Sequence, residues 1–468
     1  MKNPVPAPRT LFEKVWDAHV IQQLGDGWCL LHIDRQLLHD MSGSRSLGEL
    51  DARNLPTPNP ELAFATPDHT VSTAVGRETV ETPLRSRLAA SSARHGIRFF
   101  DLGQPGQGIV HVMGPELGVV LPGTTVICGD SHTCTNGALG AIAFGVGSSE
   151  LMHALATQTL MQRKLRLMRI RFDGALQPRV SAKDVILHAI GRLGASAGTG
   201  YAVEYAGEAI EAMPVEERMT LCNLSIEMGA KVGMVAPDDK VIDYLRGRTF
   251  APKGPRFEEA VANWTMLCTD ANARFDREEA FDVSALVPQI TWGTSPEQVV
   301  GIDGRVPGDD DVPDAARRNA WRDARDYMGL AQGMPLTGMK VDRVFIGSCT
   351  NSRLSDLRAA AALLRPGRRV APHVRAWVVP GSEDVRRAAE SEGLHEVFRE
   401  AGFDWRLPGC SMCVAANGEV AAPGERVVST SNRNFVGRQG PGARTHLASP
   451  VTAVASALAG EIADARLL

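Results

Sequence analysis

Short apolar segments of strand type alternate with helical segments along most of the 468 residues. TTVICG, GIVHV and LRLMRIRFDG have the β-branched and aliphatic composition of buried strands, whereas AKDVILHAIGRLG has the apolar period of an amphipathic helix. Such alternation is typical of α/β folds. Because a chain of this length exceeds one ordinary core, several packed domains are expected.

Three α/β units are predicted along the chain. The first covers residues 1–165, and the second covers residues 166–290, beginning at LRLMRIRFDG. The third covers residues 291–468 and contains the strand MKVDRVFIGSC followed by the helix SRLSDLRAAAALL. A charged segment rich in Gly and Pro, GIDGRVPGDDDVPD, leads into this unit.

Composition narrows the classes of function. The 44% hydrophobic and 22% charged content describes a globular chain, and a net charge of -4 gives no basic excess for a nucleic-acid partner. No signal peptide and no apolar run of about 18 residues are visible, so neither secretion nor a membrane partner is expected. Eight cysteines are too sparse for a disulfide scaffold, and a cytoplasmic location with free thiols is predicted.

Three cysteines stand in loop-like segments rich in small and polar residues. Cys349 lies in IGSCTNSR after an apolar run, and Cys410 and Cys413 form a CxxC in LPGCSMC. A CxxC by itself also fits a zinc half-site or a redox dithiol. No second half of a zinc site is evident, and three thiolates without a fourth favour a 4Fe-4S cluster with one open iron. The remaining cysteines are interpreted as buried, inert thiols: Cys29, Cys128, Cys134, Cys222 and Cys268.

Several histidines and carboxylates lie beside Gly, Ser or Thr in short motifs. Carboxylate-imidazole pairs can hold the groups that deliver and remove protons, although a single His near an Asp is more often structural. The candidates are Asp68 and His69 in DHTVST, His111 in IVHVMGPE, Asp130 and His132 in GDSHT, and Glu204 in GTGYAVEY. Arg433 and Arg438 in STSNRNFVGRQG suit carboxylates, because a guanidinium binds them bidentately; exposed surface arginines are the alternative.

As a set, DHTVST, GDSHT, GTGYAVEY, IGSCTNSR, GCSMC and STSNRNFVGRQG resemble the aconitase superfamily in order and spacing over nearly the whole chain. Within it the chain is most similar to the large subunits of bacterial isopropylmalate dehydratases, as in RMTLCNLSIEMGA and FDWRLPGCSMC. The resemblance implies three α/β domains around a central cluster and a hydro-lyase that moves a hydroxyl group by dehydration and rehydration. It further implies a hydroxy-dicarboxylate substrate and a role in leucine biosynthesis.

The resemblance also assigns roles to individual residues. Cys349, Cys410 and Cys413 would ligate one 4Fe-4S cluster per subunit, and Asn432, Arg433 and Arg438 would line the cluster and the substrate carboxylates. His69 would be the acid at the leaving hydroxyl. The pairings it implies are Asp68 with His69, Asp130 with His111, and Glu204 with His132.

A partner is expected from the same resemblance. Aconitases carry a C-terminal swivelling domain that supplies the base, and this domain is expected to be absent here and to reside in a separate small subunit of a heterodimer. In GDSHTCTNGALG, Cys134 and Asn136 depart from typical leucine-pathway members, so a paralogue acting on another 2-hydroxy diacid, a methylmalate or citraconate hydratase, is an alternative. Two alternatives of other classes are a cluster-dependent RNA-binding regulator and a structural zinc protein.

Overall fold

A computed structural model describes residues 7–77, 80–312 and 314–468 of the chain. Within these ranges, sheets of parallel strands alternate with helices, which confirms the predicted α/β class. Most central strands are buried along their whole length, as in Thr125–Cys128 and Arg343–Ile346. Helices on both faces of a parallel sheet bury its strands in this way.

The first unit is built on a five-stranded parallel sheet. It follows α1 (Leu11–His19), β1 (Val20–Gly25) and β2 (Trp28–His32). Its strands are β3 (Arg35–His39), β4 (Ala63–Thr66), β5 (Arg98–Phe99), β6 (Thr125–Cys128) and β7 (Ile142–Gly145). Their order is β5-β4-β3-β6-β7. The accompanying helices are α2 (Ser42–Arg53), α3 (Pro83–His95), α4 (Val110–Glu116) and α5 (Ser148–Thr157).

A four-stranded parallel sheet forms the second unit, after β8 (Thr159–Arg163) has paired antiparallel with β2. Its strands are β9 (Arg166–Asp173), β10 (Tyr201–Ala206), β11 (Val232–Val235) and β12 (Arg277–Asp282), in the order β11-β10-β9-β12. A capping box of Ser181 and Asp184 begins α6. The helices are α6 (Ala182–Leu193), α7 (Glu208–Ala212), α8 (Val215–Asn223), α9 (Asp239–Leu245) and α10 (Pro255–Thr265).

The third unit contains a second five-stranded parallel sheet. A hairpin of β13 (Gln289–Thr291) and β14 (Val299–Gly301) precedes it. Its strands are β15 (Arg343–Ile346), β16 (Arg375–Val378), β17 (Asp404–Trp405), β18 (Arg426–Ser429) and β19 (Arg444–Leu447), in the order β17-β16-β15-β18-β19. The helices are α11 (Ala315–Met328), α12 (Leu354–Ala361), α13 (Glu383–Ser391), α14 (Leu394–Ala401) and α15 (Pro450–Ala459).

The predicted domain boundaries near residues 165 and 290 fall between these sheets, and the three-domain division remains a proposal. One predicted strand is wrong, because GIVHV leads into α4 instead. A short apolar run does not by itself distinguish a strand from a buried helix. The Val110 N–H donates to Asp68 Oδ2 at 2.9 Å, so a distant carboxylate stabilises the first turn of α4.

No helix of the described residues combines the length and the apolar character needed to cross a lipid bilayer.

His446 is buried in β19 between a charged side chain and the backbone. Its Nδ1 lies 2.6 Å from the Thr291 carbonyl oxygen, and its Nε2 lies 2.7 Å from Arg426 Nη1. Nδ1 must therefore donate and Nε2 must accept, which requires the neutral ring. Burial and the Arg426 charge lower the pKa of His446 to about 3, from an ordinary value of 6.5.

We expect His446 to contribute to acid sensitivity. Between pH 6.5 and about 3 the unfolded chain protonates this ring and the folded chain does not, so its contribution to stability is lost as the pH falls. His446→Gln retains one donor and one acceptor but does not titrate. Its urea midpoint should therefore depend less on pH in this window. His153→Gln, at an exposed position of α5, is the control; an H446Q slope equal to that of the unmodified chain would contradict the assignment.

Candidate functional site

The predicted site residues gather where loops leave the carboxyl ends of parallel strands. Asp68 follows β4 and Asp130 follows β6 in the first unit, whereas Cys349 follows β15 and Asn432 follows β18 in the third. A contact of 3.8 Å between His69 Nδ1 and Cys410 Sγ joins the loops of the two units. The carboxyl edges of parallel sheets are the usual position of ligand sites in α/β folds.

The three predicted ligand cysteines lie around one small volume. Cys349, Cys410 and Cys413 are each only 6% exposed. The Ser348 hydroxyl lies 3.1 Å from Cys413 Sγ and 3.9 Å from Cys349 Sγ, so one hydroxyl contacts two of the sulfurs. The third sulfur, on Cys410, lies beside His69. The fold thus brings the cysteines of two distant motifs together.

Four other side chains of the described residues offer ligand atoms that all lie within 4.8 Å of one another: His39, Asp40, Asp68 and His69.

Two side-chain amides donate to the Cys349 sulfur and favour its ionised form. Nδ2 of Asn223 lies 3.1 Å, and Nδ2 of Asn432 lies 3.3 Å, from Cys349 Sγ. Burial raises the pKa of the Cys349 and Cys410 thiols, so both need a positively charged partner before they can lose their protons. A metal-containing group meets that need. The donor set therefore fits a thiolate-ligated cluster.

Two serines beside the cysteines have strained backbones. Ser348 has φ of 76° and Ser411 has φ of 49°, in the left-handed region where a residue with a side chain costs about 1–3 kcal/mol. Ser411 donates to Glu419 Oε2 at 2.5 Å, and Arg406 Nη2 lies 2.8 Å from Oε1 of the same carboxylate. Although burial opposes ionisation, hydrogen bonds from Ser411 and Thr73 and the Arg406 charge lower the pKa of Glu419 to about 2. This carboxylate holds the CSMC loop in place.

Asp130 lies at the centre of the histidine cluster. Its Oδ2 lies 3.1 Å from His69 Nε2, and its Oδ1 lies 3.3 Å from His132 Nδ1 and 3.5 Å from His111 Nε2. Burial alone would raise the pKa of Asp130, but these three histidines hold it well below its usual range. The predicted neighbourhood of Asp130 and His111 is present. A single ionised carboxylate therefore serves three imidazoles.

His69 lies between two carboxylates. Its Nδ1 lies 2.5 Å from Asp68 Oδ1, as the predicted pairing requires, and its ring stacks on His39 with 4.1 Å between centroids. Burial would lower the pKa of His69, but the charges and hydrogen bonds of its neighbours, Asp68 first among them, raise it well above the usual range. His69 is therefore poised as a proton-carrying imidazolium.

The pairing predicted for Glu204 is wrong. His132 Nε2 instead lies 2.9 Å from Glu227 Oε1, and the same oxygen accepts from Arg433 Nε at 2.8 Å. Glu204 instead accepts from the Thr269 hydroxyl, at 2.7 Å to each carboxylate oxygen. The carboxylate that serves His132 is therefore supplied by the segment after α8 and not by β10.

The alternation of side chains along a strand explains this correction. Tyr205 of β10 faces α8 and its continuation, where its hydroxyl lies 2.8 Å from Ser225 Oγ. Successive side chains of a strand point to opposite faces, so the neighbouring Glu204 points away from the site. The motif was assigned to the correct region of the fold, but its carboxylate lies on the other face of the sheet.

Asp40 belongs to the group of His39, Asp40, Asp68 and His69 described above, but its role is structural. Its carboxylate accepts from the backbone N–H groups of His69 at 3.0 Å and Thr70 at 2.7 Å, and from the Thr70 hydroxyl. The Asp68 N–H lies 3.3 Å from the same carboxylate. These donors occupy its oxygens and hold the DHT segment in position, so we assign no metal to this group.

A cavity of about 470 Å³ opens beside the histidines and is strongly cationic. Arg433 is held in it by Glu227 and by the Ser131 hydroxyl at 2.9 Å. Arg438 also lines the cavity, and its Nε is buried without a hydrogen-bond partner among the described residues. Arg45 and Arg87 add two exposed guanidinium groups to the lining. The cavity is therefore suited to a small polyanion, such as a dicarboxylate.

The two residues that departed from the expected GDSHT pattern do not line this cavity. Cys134 Sγ lies 3.5 Å from the Asn223 carbonyl oxygen, and Asn136 Nδ2 donates to the Thr133 carbonyl oxygen at 2.9 Å. Both side chains are fully buried. Of the five cysteines interpreted as buried, four are buried and Cys268 is exposed.

Two functional residues were missed at the level of sequence. Asn223 and Glu227 both lie in RMTLCNLSIEMGA, a segment that the resemblance had already singled out. Their spacing of four residues places both side chains on one side of a helical segment. This spacing was the signal in the sequence that could have identified the two residues. The carboxylate partner of His132 was instead assigned to the Glu204 motif.

The chain is similar to known proteins over most of its length. The model of the Aconitase family (aconitate hydratase) matches residues 13–460. A Bradyrhizobium diazoefficiens protein, 3-isopropylmalate dehydratase large subunit 1, is 62% identical over 463 residues, covering 98% of this chain and 97% of that one. The crystal structure of Thermococcus kodakaraensis aconitase X in its holo form aligns over 86% of this chain and 84% of that chain, with a TM-score of 0.47 and 12% identity.

We expect each of the three cysteines to be required for a metal centre. After anaerobic reconstitution with iron and sulfide, Cys349→Ser, Cys410→Ser and Cys413→Ser should each lose most of the bound iron and the visible absorbance, because a hydroxyl is a poor substitute for a thiolate ligand. Cys268→Ser, at an exposed position outside the site, is the control. Bound zinc without iron or sulfide in the unmodified chain would contradict the assignment.

Proposed function

Because this chain belongs to the aconitase family, we propose that it is the large subunit of a 3-isopropylmalate dehydratase, a hydro-lyase of leucine biosynthesis. The reaction isomerises 2-isopropylmalate to 3-isopropylmalate by loss and return of water. Identity to the Bradyrhizobium large subunit over nearly the whole of both chains is the observation that carries the proposal. The cationic cavity beside buried cysteines and histidines supports it independently.

The cofactor of the proposed enzyme is one 4Fe-4S cluster per subunit, held by Cys349, Cys410 and Cys413. When bound, it supplies an open iron that acts as a Lewis acid on the substrate hydroxyl. The chain's own contribution is to bury the three sulfurs and to direct the Asn223 and Asn432 amides at Cys349 Sγ. Three thiolate ligands, and not four, support a role in substrate activation over electron transfer.

Arg433 and Arg438 bind the substrate carboxylates in this proposal. A guanidinium offers two parallel N–H donors to a carboxylate, which fixes both position and orientation. Glu227 orients Arg433 by accepting from its Nε, and leaves other donors of the guanidinium for ligand. Holding the diacid at two points keeps its hydroxyl-bearing carbon in one position, which is the condition for stereospecific loss of water.

Proton transfer to the leaving hydroxyl is assigned to His69. Asp68 and Asp130 contact its two ring nitrogens, so the imidazolium is favoured and its ring is fixed. A proton on Nε2, the nitrogen nearer the cavity side and Asp130, can pass to a departing hydroxyl, and the neutral ring can accept it back when water returns. His132 lies between Asp130 and Glu227 and stabilises the ion pair of His69 and Asp130.

A separate small subunit carries the swivelling domain and the base in this proposal. Met41, Leu84 and Val414 line the cavity among its charged groups, and Phe435 and Val436 are 45% and 63% exposed in the turn between the two arginines. Apolar side chains around a charged cavity suit a protein partner that closes over it. We place the heterodimer in the cytoplasm, where thiol ligands stay reduced.

We expect the activity to require both subunits. The reconstituted chain, mixed anaerobically with its small subunit, should form the unsaturated diacid from 2-isopropylmalate, measured by absorbance, whereas the chain alone should show little turnover because the base is absent. Cys349→Ser with the small subunit is the control. Activity on citraconate with none on isopropylmalate would contradict the proposed substrate. Full activity of the isolated chain would contradict the two-subunit proposal.

Substitution of Glu227 and substitution of Glu204 should have different effects on activity. Glu227→Gln removes the charge that holds His132 and Arg433, and we expect kcat of the assembled enzyme to fall by about a hundredfold. Glu204→Gln is the matched control: Glu204 is hydrogen-bonded to the Thr269 hydroxyl and its side chain points away from the site, so kcat should stay near that of the unmodified enzyme. The reverse order of effects would restore Glu204 to the site.

A further inference from the structure

Lys183 is a buried cation without an anionic partner. It lies in the first turn of α6 and is 0% exposed. Its Nζ donates to the carbonyl oxygens of Thr430 at 2.7 Å and Ser431 at 2.6 Å, and lies 3.4 Å from Asn351 Oδ1. All three acceptors are neutral, and no carboxylate oxygen of the described residues comes within 4.0 Å of this ammonium.

Such a position is unfavourable for a lysine considered by itself. Removing an ammonium from water without a counter-charge costs several kcal/mol in proteins. The amino end of α6 adds to the cost, because the helix dipole is positive there. Burial is the largest influence on Lys183 and lowers its pKa to about 7, while the charges of Cys413 first, and then of Asp356 and Asp184, oppose this shift. A negatively charged group nearby would therefore stabilise the protonated Lys183 side chain.

The loops that Lys183 contacts are those that carry the cysteine site. The Thr430 and Ser431 carbonyls belong to the turn that leads into Asn432, whose amide donates to Cys349 Sγ. Asn351 lies two residues after Cys349 in the same loop. The ammonium thus contacts both loops, and Lys183 is not among the residues that line the cavity.

We propose that Lys183 is the buried counter-charge of the metal centre, so that its ammonium offsets the negative charge of the three thiolates and the cluster they hold. This inference rests on the proposed cluster and adds a role for a residue that touches neither substrate nor iron. Three thiolates outweigh the charge of an oxidised cluster core, so the assembly is an anion in a poorly solvated position, and a nearby cation favours both its retention and its reduction. Lys183 is a positioning residue in the sense that it also fixes the Thr430–Ser431 turn.

The test is a comparison of reduction potentials in the reconstituted chain. Lys183→Gln keeps a hydrogen-bond donor and removes the charge, whereas Lys183→Arg keeps the charge. We expect K183Q to make one-electron reduction of the cluster at least tenfold less favourable, a potential about 59 mV lower, in a titration followed by electron paramagnetic resonance. K183Q should also lose its visible absorbance faster in air, and K183R should stay close to the unmodified chain.

Lys231→Gln is the matched control, because this partly buried lysine donates to Gln162 at 2.7 Å and contacts none of the cysteine loops. A K183Q potential equal to that of the unmodified chain would overturn the inference, even if the variant were less stable to heat. Where K183Q binds no iron, restoration by K183R supports the counter-charge and failure of both variants overturns it. An unmodified chain that binds no cluster would defeat the proposed function and this inference together, whereas unequal potentials without dehydratase activity would defeat the proposed function alone.

Discussion

The Asp130 carboxylate is the point at which the loops of the candidate site meet. Its two oxygens face histidines that follow β4, lie in α4 and follow β6, and a chain of contacts continues through His132 and Glu227 to Arg433. Each group in this chain is buried or nearly so, and an unpaired charge in such surroundings would be costly. The network is therefore stable only as a whole, which fixes the relative positions of the first and third units at the cavity.

Further carboxylates hold the segments around this network in place. Asp40 holds the DHT segment through its backbone N–H groups, Glu419 holds the CSMC loop, and Asp68 stabilises the first turn of α4. Asp40 and Asp68 accept from backbone N–H groups, whereas Glu419 accepts from the Ser411 hydroxyl. The side chains that face the cavity are thus held in position by carboxylates that do not line the cavity. The geometry of the candidate site therefore depends on the packing of the sheets.

How far the sequence predicts this arrangement depends on distance along the chain. Residues within one motif, such as Asp68 and His69, were paired correctly because their proximity is local. Glu204 was misassigned because the face of a strand to which one side chain points is decided by packing against α8, which no motif encodes. GIVHV failed for a related reason, since a buried helix and a buried strand share the same short apolar run. The α/β class was accessible, because the alternation of strand and helix patterns follows from parallel sheets. The cysteine set remains a prediction, which the loop positions of the three residues suggested.

The left-handed backbones of Ser348 and Ser411 have a consequence for the life of the protein in air. Both serines are fully buried, and Ser411 is hydrogen-bonded to Glu419, which lies outside the cysteine motifs. Packing of the chain itself therefore helps to hold the CSMC loop. For the proposed cluster, a loop held in this way would favour reassembly from iron and sulfide after oxidation, without new synthesis of protein.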